Sequence, residues 1–154
     1  MSIDWIFLTD PAFQGQTGAF APLWLAVCHD FRGATHLRVT AGGEWGSQAP
    51  TVWGPDGDIA SLGGGATLIL AGAPLGALIG KVGGSSASLG PTPPPATGSP
   101  PPAALGQDQA FLIGGTCVFA VPAGARGPLF IGFNTIRRPL DIRTLTVLVE
   151  GATF

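Results

Sequence analysis

The sequence predicts an all-β protein, an antiparallel β-sandwich or jelly roll, from three observations. No segment holds a 3.6-residue apolar period without meeting Gly or Pro. Short apolar and β-branched runs recur instead between turn residues, which is the pattern of strands in a sandwich. Gly (25) and Pro (15) fill about a quarter of the 154 residues, yet 45% of the chain is hydrophobic. That apolar share is enough for a core, and it excludes disorder of the whole chain.

Taken in order, strands are expected near residues 5–8, 23–28, 34–40, 66–70, 77–82, 110–113, 116–121, 129–133 and 144–149. The runs TCVFAV (116–121) and TLTVLV (144–149) both suit sandwich strands. Leu145, Val147 and Val149 share one face, while Thr144 and Thr146 share the other with Leu148. Residues 90–102, GPTPPPATGSPPP, hold seven of the prolines. Proline fixes φ and cannot donate to a ladder, so this stretch (90–103 with its flank) reads as a polyproline or loop insertion within one domain. No internal repeat is visible.

Composition narrows the functional classes. Charged residues are 10% of the chain and net charge is −2, with one Lys, Lys81, against six Arg. A nucleic-acid partner requires a dense basic face, which this chain cannot build. Two His and no Tyr leave few groups for acid–base catalysis, so no catalytic residue is assigned and the protein is expected not to be an enzyme. The start, MSIDWIFLTD, carries Asp4 and Asp10 and no basic residue, so no secretory signal is expected. Synthesis would then be cytoplasmic, with function on a particle or cell surface left open. The longest apolar stretch, ATLILAGAPLGALIG at 66–80, is too short and too rich in Gly for a spanning helix. A surface so poor in charge is expected to associate, giving a homo-oligomer or a subunit of an assembly.

Cys28 and Cys117 are expected as two buried thiols, with a long-range disulfide as the alternative. Cys28-His29 lacks the paired spacing of a zinc site. In WGPDGD (53–58), Asp56 and Asp58 flank a Gly, but a hard cation takes six to eight oxygens and no third carboxylate follows. A Pro-Asp-Gly turn is the simpler reading. All four Trp lie within the first 53 residues. Most are expected in the core, and an exposed indole would be a stacking face for a sugar ring.

The order TVWGPDGD (51–58), LGALIGKVGG (75–84), FLIGGTCVFAVP (111–122), GPLFIGFN (127–134) and TLTVLVEG (144–151) resembles the PA-IL-like galactophilic lectins. The likeness runs from about His36 to Gly151, so it divides the chain into an extension, 1–35, packed on or beside a lectin-like sandwich domain, 36–154. It implies a galactose-binding-like β-sandwich and a loop, FNTIRRPLDIR (133–143), that holds calcium and sugar. Asn134 matches the first loop residue of that family, but Thr135 stands where an Asp is expected, and the Asn pair is missing near Asp141. One carboxylate faces Arg137, Arg138 and Arg143 in this loop. At ~6 Å and an effective dielectric of ~20, each unit-charge repulsion amounts to about 3 kcal/mol. No metal and no other cofactor is therefore expected.

The resemblance implies a galactoside-like saccharide site, and the loop's departures from the family make it calcium-independent, with Asn134, Thr135, Arg137, Asp141, Trp53 and Asp58 as its candidate residues. Two functional classes follow: a carbohydrate-binding or adhesin-like module, and a decoration or fibre subunit of a virus-like or multi-subunit assembly without sugar binding.

Overall fold

The computed structural model describes residues 4–10, 16–20, 24–46, 52–58, 68–70, 72–83, 109–136 and 140–153. Nine strands form two antiparallel sheets: β1 (Ile6–Phe7), β2 (Gln16–Phe20), β3 (Leu25–Cys28), β4 (His36–Gly46), β5 (Leu78–Val82), β6 (Phe111–Leu112), β7 (Thr116–Ala120), β8 (Leu129–Phe133) and β9 (Leu140–Ala152). One sheet has five strands in the order β1-β9-β4-β7, with β2 also on β9; the other has four, β3-β8-β5-β6. No helix occurs among the described residues, and none is therefore long and apolar enough to cross a membrane. The fold class expected from the sequence is the one observed.

The two long strands carry the five-stranded sheet. β4 and β9 pair from His36↔Ala152 to Gly46↔Asp141, with one bulge between Glu44 and Trp45. Alternation sets the layers: Leu37, Val39, Leu145, Val147 and Val149 are buried, whereas Thr40, Thr144 and Thr146 are exposed. Strand β4 outruns its expected end at residue 40 because Gly42 and Gly43 sit inside the ladder. Gly43 has φ of +132°, and a Cβ there would run into the Thr144 backbone, so only Gly lets β4 and β9 approach here.

The inward faces of both sheets form one core that includes Val27, Leu37, Val39, Trp45, Cys117, Leu129, Ile131, Phe133 and Val149. Fully burying an aliphatic or Phe side chain of this kind is worth about 1.5–3 kcal/mol relative to leaving it exposed. The four-stranded sheet is also covered on its outer side. Trp24, Leu70, Ala73, Ile79, Ala110 and Phe130 form a second apolar cluster there. Accordingly every residue of β5 and of β8 is buried.

Three sequence expectations change. Residues 1–35, expected as an extension packed on or beside the domain, contribute strands to both sheets: β1 and β2 join the five-stranded sheet, and β3 joins the four-stranded one. Val27, Cys28 and Phe31 are core residues, so the domain needs this stretch. β2, QTGAF, has no counterpart among the expected strands. The expected strand at 66–70 is the converse case, since residues 68–70 form no strand. The proline-rich insertion lies outside the described residues. Both cysteines are buried and free.

Candidate functional site

The motifs that suggested a sugar site do converge, but they converge inward. Trp45 and Trp53 exchange both backbone hydrogen bonds, at 3.0 and 2.7 Å. The Trp45 indole Nε1–H donates to the Gly76 carbonyl at 2.8 Å and the ring packs on Phe133 at 4.8 Å. Gly76, at φ +78°, lies against the Trp53 ring, where any Cβ would collide with the indole. Its N–H donates to the Asn134 carbonyl at 3.1 Å. Trp53, Gly76 and Asn134 are thus one packed knot in which each motif residue positions the next.

Asn134 is fully buried. Its Oδ1 accepts from the N–H groups of Ile69 and Leu70, at 3.0 and 2.7 Å. Its Nδ2 donates to the carbonyls of Leu70, Ala73 and Pro74, at 3.0, 3.2 and 3.1 Å. A loop buried over a sheet needs partners for its backbone, and this one amide supplies them in place of a strand. Asn134 therefore has no polar group left over for a hydroxyl.

The other candidates lie beside this knot: Asp58 bridges to Leu75, next to Gly76, and Asp141 pairs with Gly46, next to Trp45. Thr135 and Trp53 are buried. Asp58 is half-buried, and its backbone N–H donates to the Leu75 carbonyl at 2.8 Å. The Pro-Asp-Gly turn is present, closed by a 2.9 Å bond from the Gly57 N–H to the Gly54 carbonyl. The neighbouring Asp56 Oδ1 accepts from the Gly115 N–H at 3.3 Å. Asp141 lies in β9, where it pairs with Gly46 and with Ala19. Arg137 lies outside the described residues. Asn134, Thr135 and Trp53 are thus all buried, within the packing around Gly76.

No group of three or more His, Cys, Asp or Glu that could hold a metal occurs among the described residues. His29 Nδ1 pairs with Asp10 at the surface, beside Cys28 in sequence. Burial pushes the Cys28 thiol up to about 11, and that of Cys117 likewise to about 11. A thiol held protonated at neutral pH is a poor nucleophile, so this Cys-His-Asp proximity lacks its activated member. A shallow hollow of about 280 Å³ lies between residues 33–35 and 121–126. Only Thr35 and Arg126 bring polar side chains to it.

Among the described residues, surface chemistry concentrates instead on the outer face of the five-stranded sheet and on its β7 margin. Directly opposed residues share a face, so Phe7, Glu150, Arg38 and Val118 form one row across β1, β9, β4 and β7. Arg38 pairs with Glu150 at 2.9 Å and its guanidinium lies 4.5 Å from the Trp5 ring centre. Phe7 and Val118, at the two ends of the row, are each 49% exposed. Trp5 is the one Trp that is not buried. Thr40, Thr116, Thr144 and Thr146 are exposed on the same face, together with Glu44.

At one margin of this sheet β7 pairs with β4 and has no strand on its other side among the described residues. Its five residues, TCVFA, keep an unbroken register with β4 and carry no charge. The other margins are blunted: β1 and β6 are two residues long, β2 and β3 are bulged. Sequence inspection missed this edge because the run 116–121 looks like any core strand; its position in the sheet order is what distinguishes it.

Compared with protein-family models, curated proteins and solved structures, the chain matches none of them.

Proposed function

We propose that this protein is a non-enzymatic structural subunit, of the decoration or fibre kind, that acts through its surface. The observation that carries this reading is the uncharged and regularly paired edge at β7, which no other strand covers among the described residues and which carries exposed Val118. Natural sheets blunt such edges with charge, proline, bulges or brevity, because an open edge recruits another strand. Three features add support: the inward placement of Asn134, Thr135 and Trp53, the protonated thiols, and a chain with 10% charged residues. Light scattering on the full chain tests it, with a mass above 15.5 kDa expected. A 15.5 kDa particle at every concentration would count against the reading.

A second reading keeps saccharide binding, and a specific observation favours it. Trp5, Phe7, Arg38 and Glu150 put aromatic surface beside charged hydrogen-bonding groups on a flat, accessible sheet face. Aromatic faces take sugar C–H groups, while Arg and carboxylate take hydroxyls. In this form the module resembles a galactophilic lectin whose site has moved to the sheet and needs no calcium. A glycan array with the wild type and Trp5→Ala decides it. Binding lost in the variant and indifferent to chelator supports the lectin class; silence of the wild type removes it.

A further inference from the structure

We propose that β7 is the dimer interface, pairing antiparallel with β7 of a second copy about a two-fold axis at Val118. This rests on the assembly reading above and names its partner. The backbone pattern sets the register. The Ala41 N–H donates to the Gly115 carbonyl and the Val121 N–H to the Thr35 carbonyl, both at 2.9 Å. Antiparallel ladders alternate between residues that aim both backbone groups at the neighbour and residues that aim both away. Residues 117, 119 and 121 therefore face β4, as does the Gly115 carbonyl, and Thr116, Val118 and Ala120 aim their N–H and C=O groups away from it, toward the margin that no described strand covers.

Those three residues are self-complementary. With Val118 on the axis, Val118 exchanges two hydrogen bonds with its own copy, and Thr116 with Ala120 of the second copy, in both directions. All six exposed backbone groups of each edge are satisfied at once. No like charges meet, because residues 116–120 contain none and the nearest cation, Arg38, is already paired with Glu150. Two half-exposed Val118 side chains come together on the outer face, and two five-stranded sheets become one continuous sheet. An isologous contact of this kind closes on itself, giving a dimer rather than an open filament.

Residues in such a directly bonded pair have Cα atoms about 5.5 Å apart, within the span of a disulfide. Val118→Cys in the full chain should therefore cross-link on mild oxidation into a covalent dimer. Cys28 and Cys117, both buried, provide the unreactive background in the wild type. Val118→Lys sets two cations face to face and should give a monomer by sedimentation velocity, with the wild-type circular dichroism spectrum confirming its fold. Val118→Pro removes an outward N–H while sparing the ladder to β4, and should also dissociate the dimer. Self-association that persists unchanged in Val118→Lys, together with no cross-link in Val118→Cys, overturns the β7 interface while leaving the assembly reading standing. A wild type that is monomeric throughout overturns both.

Discussion

The two sheets share a core but live in different surroundings, and the contrast explains where stability and function reside. In the four-stranded sheet both faces are covered, and all of β5 and β8 is buried. Even Lys81 is enclosed there, its ammonium 5.0 Å from the Trp24 ring centre and 5.4 Å from that of Phe130. A lysine held this way buries its methylene stem in apolar packing while the aromatic faces stabilise its charge. In the five-stranded sheet one face is core and the other holds threonines, the Arg38–Glu150 pair and exposed Phe7 and Val118. A sheet covered on both sides can only stabilise; a sheet with an exposed outer face, and with a margin that no described strand covers, can also meet a partner.

The strongest way to break this contrast is one substitution placed on both outer faces. Ile79→Lys, on the covered outer face of the four-stranded sheet, should cost about 4 kcal/mol or more, because it buries a charge in the apolar cluster around Trp24 and Phe130. Urea unfolding followed by Trp fluorescence measures it, and a variant too unstable to purify folded agrees with the expectation. Asn134→Ala comes next, at about 3–4 kcal/mol. It strips partners from two N–H groups and three carbonyls of the covering loop. If Asn134 were instead a ligand group, its loss would leave the urea midpoint unchanged.

A smaller effect follows from the thiols. Cys28 and Cys117 ionise near 9 in the unfolded chain and at about 11 when folded. A raised folded value means that the stabilisation is complete below pH 9 and is lost as pH climbs through 11. Urea midpoints measured from pH 7.5 to 11 should hold level and then fall, and a double Cys→Ala variant should lose part of that fall. The smallest effect is expected for Thr146→Lys on the open face, within about 0.5 kcal/mol of wild type. Together with Ile79→Lys it measures the difference between the two outer surfaces directly.

How much of this was legible in the sequence depended on which surroundings a segment met. β9 was readable because one wet face forces alternation, so Leu145, Val147 and Val149 stand apart from Thr144 and Thr146. β5 and β8 were readable as strands from their β-branched and apolar runs, but not as strands covered on both sides. The loop at 68–74 misled, since an apolar run normally buries itself as a strand. Here a side chain, Asn134, does the work of a strand partner, and nothing local in the sequence announces that. Asn134 reads as a site group from its match to the lectin loop, and its burial among the backbone groups of Ile69, Leu70, Ala73 and Pro74 becomes visible only in the fold. Within residues 1–35 the strands at 5–8 and 23–28 are legible as local runs, but their partners are not, because β1, β2 and β3 pair with strands over a hundred residues away.

Amide hydrogen exchange, followed residue by residue at several protein concentrations, tests the division of labour most directly. The account predicts that β5 and β8 amides, such as Ile79, Lys81 and Ile131, exchange slowest and at rates independent of concentration. It predicts that the outward amides of Thr116, Val118 and Ala120 exchange fast in dilute solution and slow markedly as concentration rises, while Cys117 and Phe119 change little. Outward β7 amides that stay fast at every concentration, or β5 and β8 amides no better protected than they are, would contradict it.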